Sequence, residues 1–253
     1  MRKVGILKCF NSDTIAIPTG AMAWFTVVFI VIVCLARSEA AGNPDVDLAS
    51  LGSTMGFKIK GAVTGDYSGY SVGGGGDFNG DGIDDVLVGS YGANPTGMLP
   101  NAGMSYVIFG RSTGFPAAID LLPLNSAGST TGFAIYGPAN TAQSGFSVSN
   151  AGDVNGDSID DIAISAPTAT LLVNSALRNL AGLVYVIFGR HYTLSGASSY
   201  TNINLATIGT TGTAQGYAIW GAASQDTTGF SVSRAGDVNK DGFTDFYCGQ
   251  HEL

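Results

Sequence analysis

The sequence predicts an all-β protein built from repeated four-stranded sheets. Three observations support this prediction: an acidic pattern recurs three times, β-branched and aromatic residues cluster in short segments between turns, and 37 of the 253 residues are glycine. Segments of this composition and length favour strands over helices, and glycine is typical of tight turns. After the N-terminal segment, no stretch shows a helical period.

The acidic pattern sets the spacing of the repeats. It reads GDFNGDGIDDVLVG at 76–89, GDVNGDSIDDIAIS at 152–165 and GDVNKDGFTDFYCG at 236–249. GYSV or GFSV precedes each copy, and GFKIKG, GFAIYG or GYAIWG lies further upstream. SYVIFGR and VYVIFGR follow the first two copies. Four strands per unit, repeated along the chain, are typical of β-propeller blades.

The repeats divide the chain into four parts. We assign 1–40 to a targeting segment, 52–128 to repeat 1, 129–212 to repeat 2 and 213–253 to a truncated repeat 3. The repeats amount to about two and a half blades, so the sequence predicts an incomplete propeller. Because an open blade leaves an unpaired edge, we expect further blades from a longer chain or from assembly.

The first 40 residues differ from the repeats. Basic residues (Arg2, Lys3 and Lys8) precede 16 uncharged residues at 21–36, and small residues follow in SEAAG. This order is typical of a secretory signal peptide. As a helix, the apolar stretch would span ~24 Å, which is less than the ~30 Å hydrocarbon layer of a membrane. An uncleaved signal anchor is the alternative. Both predict repeats that are secreted or at the cell surface.

The acidity of the chain is concentrated in three loops. They contain 11 of the 19 acidic residues, and without these the formal charge would change from −8 to +3. Carboxylates this close repel one another unless a positive charge lies between them. Oxygen side chains occupy positions 1, 3, 5 and 9 of each nine-residue loop. A hard cation with many oxygen ligands suits this arrangement, and calcium is the usual one.

We therefore predict about three Ca²⁺ sites, one per loop, with the backbone carbonyl of position 7 as a further ligand. The predicted ligands are Asp77, Asn79, Asp81, Ile83 and Asp85 in the first loop, Asp153, Asn155, Asp157, Ile159 and Asp161 in the second, and Asp237, Asn239, Asp241, Phe243 and Asp245 in the third. Magnesium prefers fewer carboxylates and more water, and zinc would need His or Cys. The alternative is that the loops are Asx-turns without a metal.

Position 6 distinguishes the second loop from the other two. It is Gly82 in the first loop, Ser158 in the second and Gly242 in the third. A sharp turn there calls for positive φ, which Gly adopts freely and Ser does not. We therefore expect Ser158 to hold a strained backbone conformation.

The units resemble FG-GAP repeats, which form the blades of the β-propeller at the head of integrin α subunits and occur in secreted microbial proteins. The resemblance covers about residues 52–253, and its specific part is the loop D-x-N-x-D-G-x-x-D followed by an apolar strand. ISAP at 164–167 is similar to the family's GAP element, whereas Ser144 and Thr228 stand where the family usually has Phe. The resemblance implies calcium loops at the rim of one face, where they brace the blades and do not catalyse a reaction.

Other residues that could carry chemistry have structural explanations. No H-E-x-x-H or phosphate loop occurs, so we expect no enzyme. We expect His191 and His251 at the surface, and Cys248 as a small buried strand residue. The recurring Arg111 and Arg190 are expected to donate hydrogen bonds at blade edges. The recurring aromatic residues are expected in the core, namely Phe57, Tyr70, Phe133, Phe146, Tyr217 and Phe230.

The sequence and the resemblance together favour an extracellular calcium-binding propeller module, integrin-α-like, for cell adhesion or protein ligand binding. One alternative is an accessory propeller of a secreted hydrolase, since similar repeats occur in a phospholipase D. Another is a purely structural secreted repeat protein. The expected partner is an extracellular protein ligand or a partner subunit. Nucleic acid is excluded by the acidic charge, and membrane contact is expected only through an uncleaved N-terminal segment.

Overall fold

The computed structural model describes residues 5–7, 30–34, 56–95, 99–125, 129–191, 201–209 and 214–251. These ranges contain no α-helix, as the sequence predicts, and so no helix of the length and hydropathy needed to cross a membrane. The strands are β1 Gly5–Leu7, β2 Ile30–Cys34, β3 Gly56–Lys60, β4 Ser71–Gly76, β5 Asp85–Ser90, β6 Met104–Ile108, β7 Ala118–Asp120, β8 Gly132–Tyr136, β9 Val148–Gly152, β10 Asp161–Ala166, β11 Leu171–Val173, β12 Ala176–Arg178, β13 Leu183–Ile187, β14 Ile203–Asn204, β15 Gly216–Trp220, β16 Ser231–Gly236 and β17 Asp245–Gly249.

Two sheets contain a complete antiparallel meander. The first consists of β4, β5, β6 and β8 in that order, and the second of β9, β10, β13 and β15. Each matches the four-stranded blade that the repeats predict. The last strand of each meander is the GFAIYG or GYAIWG segment of the next sequence unit. The sheets and the sequence units are therefore offset by one strand.

Short parallel strands connect each meander to the sheet before it. After the third strand of the first meander, β7 runs parallel to β3, and β14 runs parallel to β8 in the same way. A 3₁₀ turn follows each of them, at Leu122–Asn125 and Leu205–Thr207, and buries one leucine (Leu124 and Leu205). Neighbouring sheets are thus joined along their outer edges as well as through their faces.

Two partial sheets flank the complete ones. One has the order β1-β2-β3-β7, and the other consists of β16 and β17. The signal peptide predicted for 1–40 lies outside the described residues, except for the backbone of β1 and β2. The described sheets do not close into a ring, which agrees with the predicted incomplete propeller.

The apolar core lies between successive sheets. The largest cluster joins Leu87 and Phe133 of the first meander to Ile162 and Tyr185 of the second. A second cluster packs β3 and β7 against the first meander. The cluster between the second meander and β16 is smaller, with four buried members: Ala151, Ala163, Val184 and Val232. Burial therefore decreases sharply at β16 and β17.

Several predictions about burial were wrong at this thin cluster. Cys248 lies on β17 and is exposed, not buried. Tyr217 and Phe230 are 39% and 45% exposed, whereas Phe57 and Phe133 are buried as expected. The repeats place equivalent residues at equivalent strand positions, but a position is buried only where another sheet covers it. The two histidines are exposed, as predicted.

Candidate functional site

Each acidic loop connects the first strand of a sheet to the second. The loops lie between β4 and β5, between β9 and β10, and between β16 and β17. The antiparallel register pairs the residue before each loop with its position-9 aspartate, for example Gly152 with Asp161. All three loops are thus closed at their base by the sheet and project from the same end of their strands.

Side chains of positions 1, 3 and 5 converge in the first loop. The Asp81 N–H lies 2.9 Å from both Asp77 Oδ1 and Asn79 Oδ1, so these two oxygens share one donor. The Gly82 N–H donates to Asp77 Oδ2 at 2.6 Å, and the Ile83 N–H donates to Asp81 Oδ1 at 2.9 Å. These are the hydrogen bonds of successive Asx-turns. They turn the oxygens of the three side chains toward the inside of the loop.

The same pattern recurs in the other two loops. Positions 3 and 5 accept N–H bonds of 2.9 Å in each of them, from Asp157 and Ile159 in the second loop and from Asp241 and Phe243 in the third. The second loop has one additional bond, in which the Gly156 N–H donates to Asp153 Oδ1 at 2.6 Å. Three separate stretches of sequence therefore adopt one local hydrogen-bonding scheme.

Position 6 adopts positive φ in all three loops. The angle is 85° at Gly82, 69° at Ser158 and 95° at Gly242. The strained backbone predicted for Ser158 is therefore confirmed. The strain is retained because the Ser158 N–H must point at Asp153 Oδ2, to which it donates at 2.8 Å.

Position 9 has a different role from positions 1, 3 and 5. Asp161 is fully buried, and its two oxygens accept the N–H groups of Val154 and Gly189, both at 2.9 Å. Asp85 is bonded in the same way by Phe78 at 3.0 Å and Gly110 at 2.8 Å. Each carboxylate thus connects the loop to the end of the third strand of its sheet.

Burial dominates the ionisation of these two carboxyls. It raises the pKa of Asp85 to about 7, against the opposing effect of its hydrogen bonds from Gly110 and Phe78. It raises the pKa of Asp161 to about 6 in the same way. The nearby carboxylates of positions 1 and 5 add smaller upward shifts. A cation near the loop would therefore favour the ionised form of both groups.

The donor set of positions 1, 3 and 5 fits a hard cation. It consists of two carboxylates and one amide oxygen, and these are the ligands that calcium prefers. Within the described ranges, no three Asp, Glu, His or Cys side chains form a metal-binding group by themselves. Two features account for the absence of such a group. Position 3 is Asn in every loop, and the carboxylates of Asp85 and Asp161 accept backbone N–H groups.

The loops also contact the neighbouring sheet through residues that the sequence analysis did not identify. Asp160, at position 8, accepts the Asp77 N–H at 3.0 Å, and its own N–H donates to the Asp77 carbonyl at 3.3 Å. Thr244, at the same position of the third loop, donates its N–H to the Asp153 carbonyl at 2.9 Å. Gly110 and Gly189, whose N–H groups donate to Asp85 and Asp161, were also not identified. The sequence signal that could have pointed to them is FGR, which recurs after the third strand of each complete sheet.

The two recurring arginines stand beside these glycines. The Arg111 guanidinium donates to Thr131 Oγ1 at 2.9 Å, so the predicted donor role is confirmed there. The backbone N–H of Arg190 donates to the Phe78 carbonyl at 3.1 Å. The ring nitrogen Nδ1 of the adjacent His191 lies 3.2 Å from the Gly80 carbonyl oxygen. This corner of the second sheet therefore covers the first loop.

A row of aromatic rings lies at the strand ends opposite the loops. Tyr70, Phe146 and Phe230 each precede the first strand of a sheet, and Phe146 lies 5.0 Å from Tyr70 and 5.2 Å from Phe230 between ring centroids. Tyr91 joins the row 4.6 Å from Tyr70, and Tyr67 stacks on Tyr91 at 5.0 Å. Tyr67 is 43% exposed and the middle of the row is half-buried. Core positions were predicted for Tyr70 and Phe146, and this prediction was wrong.

Comparison with protein families identifies the repeats. The model of the FG-GAP repeat matches residues 68–108 and 144–187, which contain the first three strands of each complete meander and the first two acidic loops. The third acidic loop lies outside the matched residues. No curated protein sequence matches the chain significantly. The chain therefore contains FG-GAP repeats at these two positions, and its four-stranded sheets are blades of a β-propeller type.

Proposed function

We propose that this FG-GAP repeat protein is an extracellular calcium-binding module that binds a protein ligand or a partner subunit, as in cell adhesion, and that it is not an enzyme. The observation that carries the proposal is the recurrence of one hydrogen-bonding scheme and one set of oxygen donors in three loops. The location outside the cell rests on the signal-like N-terminal sequence and on the family.

Positions 1, 3 and 5 of each loop would hold the calcium ion, together with the predicted ligands at positions 7 and 9. In the second loop, positions 1, 3 and 5 are Asp153, Asn155 and Asp157, and the Asp157 N–H donates to both Asp153 Oδ1 at 3.1 Å and Asn155 Oδ1 at 2.9 Å. The bound ion would supply the positive charge that the clustered carboxylates otherwise lack. Extracellular calcium modules bind at roughly 10⁻⁴–10⁻³ M. At free calcium a few times that value, each site adds about 1 kcal/mol to the free energy of unfolding by mass action.

The aromatic row supports the ligand-binding part of the proposal. Its rings contact one another in succession across three sheets, at the ends of the strands opposite the loops. Partly exposed aromatic side chains are enriched in the centres of protein interfaces, where they contribute most of the binding energy. The calcium loops would keep the blades, and therefore the rings, in fixed relative positions.

A thermal melt with calcium and with chelator tests the metal assignment. We expect a higher midpoint in calcium, and we expect the increase to be smaller in the double variant Asp153→Asn, Asp157→Asn. Asp84→Asn is the matched control, because Asp84 is an exposed loop carboxylate that is not among the proposed ligands. An identical midpoint with and without calcium would contradict the proposal.

A solid-phase assay tests the binding surface. Purified extracellular-matrix proteins are incubated with the immobilised chain in calcium, and binding is compared with that of the Tyr67→Ser, Phe230→Ser variant. Val238→Ser serves as the control, since Val238 is 62% exposed but lies in the third acidic loop, away from the rings. Loss of binding in the aromatic variant alone is the expected result. Equal binding by all three proteins would exclude the row as the ligand surface.

A further inference from the structure

We propose that Asn155 is a site of spontaneous deamidation, which alters the second acidic loop without any enzyme. The chain contains two Asn-Gly pairs, Asn79–Gly80 and Asn155–Gly156. The third loop has Asn239–Lys240 at the equivalent place. The three loops share one hydrogen-bonding scheme, so they differ mainly in the residue that follows Asn and in exposure. Of the three Asn residues, only Asn155 is both followed by glycine and exposed to solvent.

The reaction needs only the chain and water. The backbone nitrogen of Gly156 attacks Cγ of Asn155, a new N–C bond forms, and the bond from Cγ to Nδ2 breaks. The proton lost by Gly156 is carried to the departing nitrogen, which leaves as ammonia. Water then opens the resulting five-membered succinimide at either carbonyl. The product is aspartate or isoaspartate, and nothing is oxidised or reduced.

The residue after Asn determines how closely the nitrogen can approach. Gly156 has no side chain and holds φ at 81°, a conformation that is natural for glycine. Lys240 holds φ at 60° in the third loop and carries a long side chain on the atom next to the attacking nitrogen. Asn239 is exposed, like Asn155, so the third loop separates the effect of glycine from the effect of exposure.

Exposure separates the first loop from the second. Asn79 is 2% exposed, and His191 from the neighbouring sheet lies against Gly80. Asn155 and Gly156 are both exposed to solvent. Phe243 of the third loop lies against Gly156 much as His191 lies against Gly80. The difference is therefore at the Asn side chain itself, which water reaches at Asn155 and does not reach at Asn79.

A carboxylate is also placed to accept the proton. Asp153 Oδ1 receives the Gly156 N–H at 2.6 Å, and this contact is specific to the second loop among the three described. A positioned base at hydrogen-bond distance accelerates proton removal in the transition state. Asp153 is thus a positioning and proton-accepting residue for the attack by Gly156.

The consequence for the loop depends on which carbonyl opens. Aspartate at 155 would add a third carboxylate to positions 1, 3 and 5, whereas isoaspartate would insert an extra backbone atom and displace Asp157. The first product strengthens a cation site and the second disrupts it. This consequence, unlike the deamidation itself, rests on the proposed calcium function.

The experiment is a timed incubation of the folded chain in chelator at mildly alkaline pH, followed by peptide mapping with mass spectrometry. We expect Asn155 to convert to aspartate and isoaspartate while Asn79 and Asn239 keep their amides. In urea we expect Asn79 to convert as well, because unfolding removes its cover, while Asn239 stays intact. An intact Asn155, or equal conversion of Asn239, would overturn the proposal.

Two variants test the named contributions. Lys240→Gly should make Asn239 reactive, and Asp153→Asn should slow conversion of Asn155 by on the order of a hundredfold, the lower end of what a positioned base contributes. An unreactive Asn239 in the first variant would overturn the role of glycine, and an unchanged rate in the second would overturn the role of Asp153. Circular dichroism establishes that both variants are folded.

Repeating the incubation in calcium separates this inference from the proposed function. If Asn155 ligates calcium through its side-chain oxygen, calcium should slow its conversion. Selective conversion that is unaffected by calcium would count against the metal site and leave the deamidation inference standing.

Discussion

The second and third acidic loops have the same residues at positions 1, 3, 5 and 9, yet they have different surroundings. Asp161 is fully buried and accepts two backbone N–H groups, whereas Asp245 is half-buried and, among the described residues, accepts only that of Val238 at 2.8 Å. In both loops, the N–H groups of positions 5 and 7 donate to the side-chain oxygens of positions 3 and 5 at 2.9 Å. The difference shows that positions 1, 3 and 5 depend on local sequence, and that position 9 depends on the rest of the sheet.

The cause of the difference is the number of neighbouring strands. β10 lies between β9 and β13, and the end of β13 brings the Gly189 N–H to Asp161. β17 pairs with β16 alone in the described part of the chain. The apolar cluster beneath the third loop is correspondingly small. The third loop is therefore a natural reference for what the blade contributes to the other two.

The largest effect is expected at position 9. Asp161→Ala leaves the Val154 and Gly189 N–H groups without their acceptor, the second of them buried, so we expect the free energy of unfolding to fall by about 2–5 kcal/mol. Asp245→Ala should cost about 1 kcal/mol or less, since it removes one hydrogen bond near solvent. Urea denaturation measures both. Equal losses would show that position 9 has the same role in all three loops.

The conservative variant Asp161→Asn sharpens this comparison. Its side chain keeps one oxygen that can accept an N–H but presents an amide group to the other donor. We expect a loss between those of the parent chain and Asp161→Ala. A loss as large as that of the alanine variant would mean that the negative charge, rather than the two accepted bonds, stabilises this position.

The second-largest effect on stability is expected where the two complete sheets approach each other. A Cβ added at Gly89 would overlap the carbonyl oxygen of Gly145, which belongs to the backbone and cannot move aside. Gly89→Ala should therefore lower stability by about 1–3 kcal/mol. At the equivalent Gly249, a Cβ would meet Ser231 Oγ, which can rotate away. Gly249→Ala should change stability by less than about 0.5 kcal/mol, and a loss as large as that of Gly89→Ala would contradict the comparison.

The smallest effect is expected at position 6. Ser158 holds φ at 69° without the freedom of glycine. Ser158→Gly should raise the free energy of unfolding by about 0.5–1 kcal/mol, since the relief of left-handed strain exceeds the entropy cost of glycine. Gly242→Ser should lower it by a similar amount. The sign of the two changes is the decisive measurement, and two changes of the same sign would refute the strain argument.

The sequence by itself determined the repeated all-β architecture and the local form of the loops. Strand composition, turn residues and the acidic spacing act within a few residues of one another. Positions 1, 3 and 5 therefore converge in the third loop as well as in the second. The positive φ of Ser158 followed from the same local reasoning.

Only the tertiary structure decided which of the repeated residues are buried and what position 9 does. Phe133 and Tyr217 occupy equivalent places in the sequence units, yet one is buried and the other is 39% exposed. Asp161 acts through Gly189, 28 residues away along the chain. Burial and long-range hydrogen bonds depend on which sheet packs against which, and a repeated sequence contains the same residues whether or not a neighbouring sheet covers them.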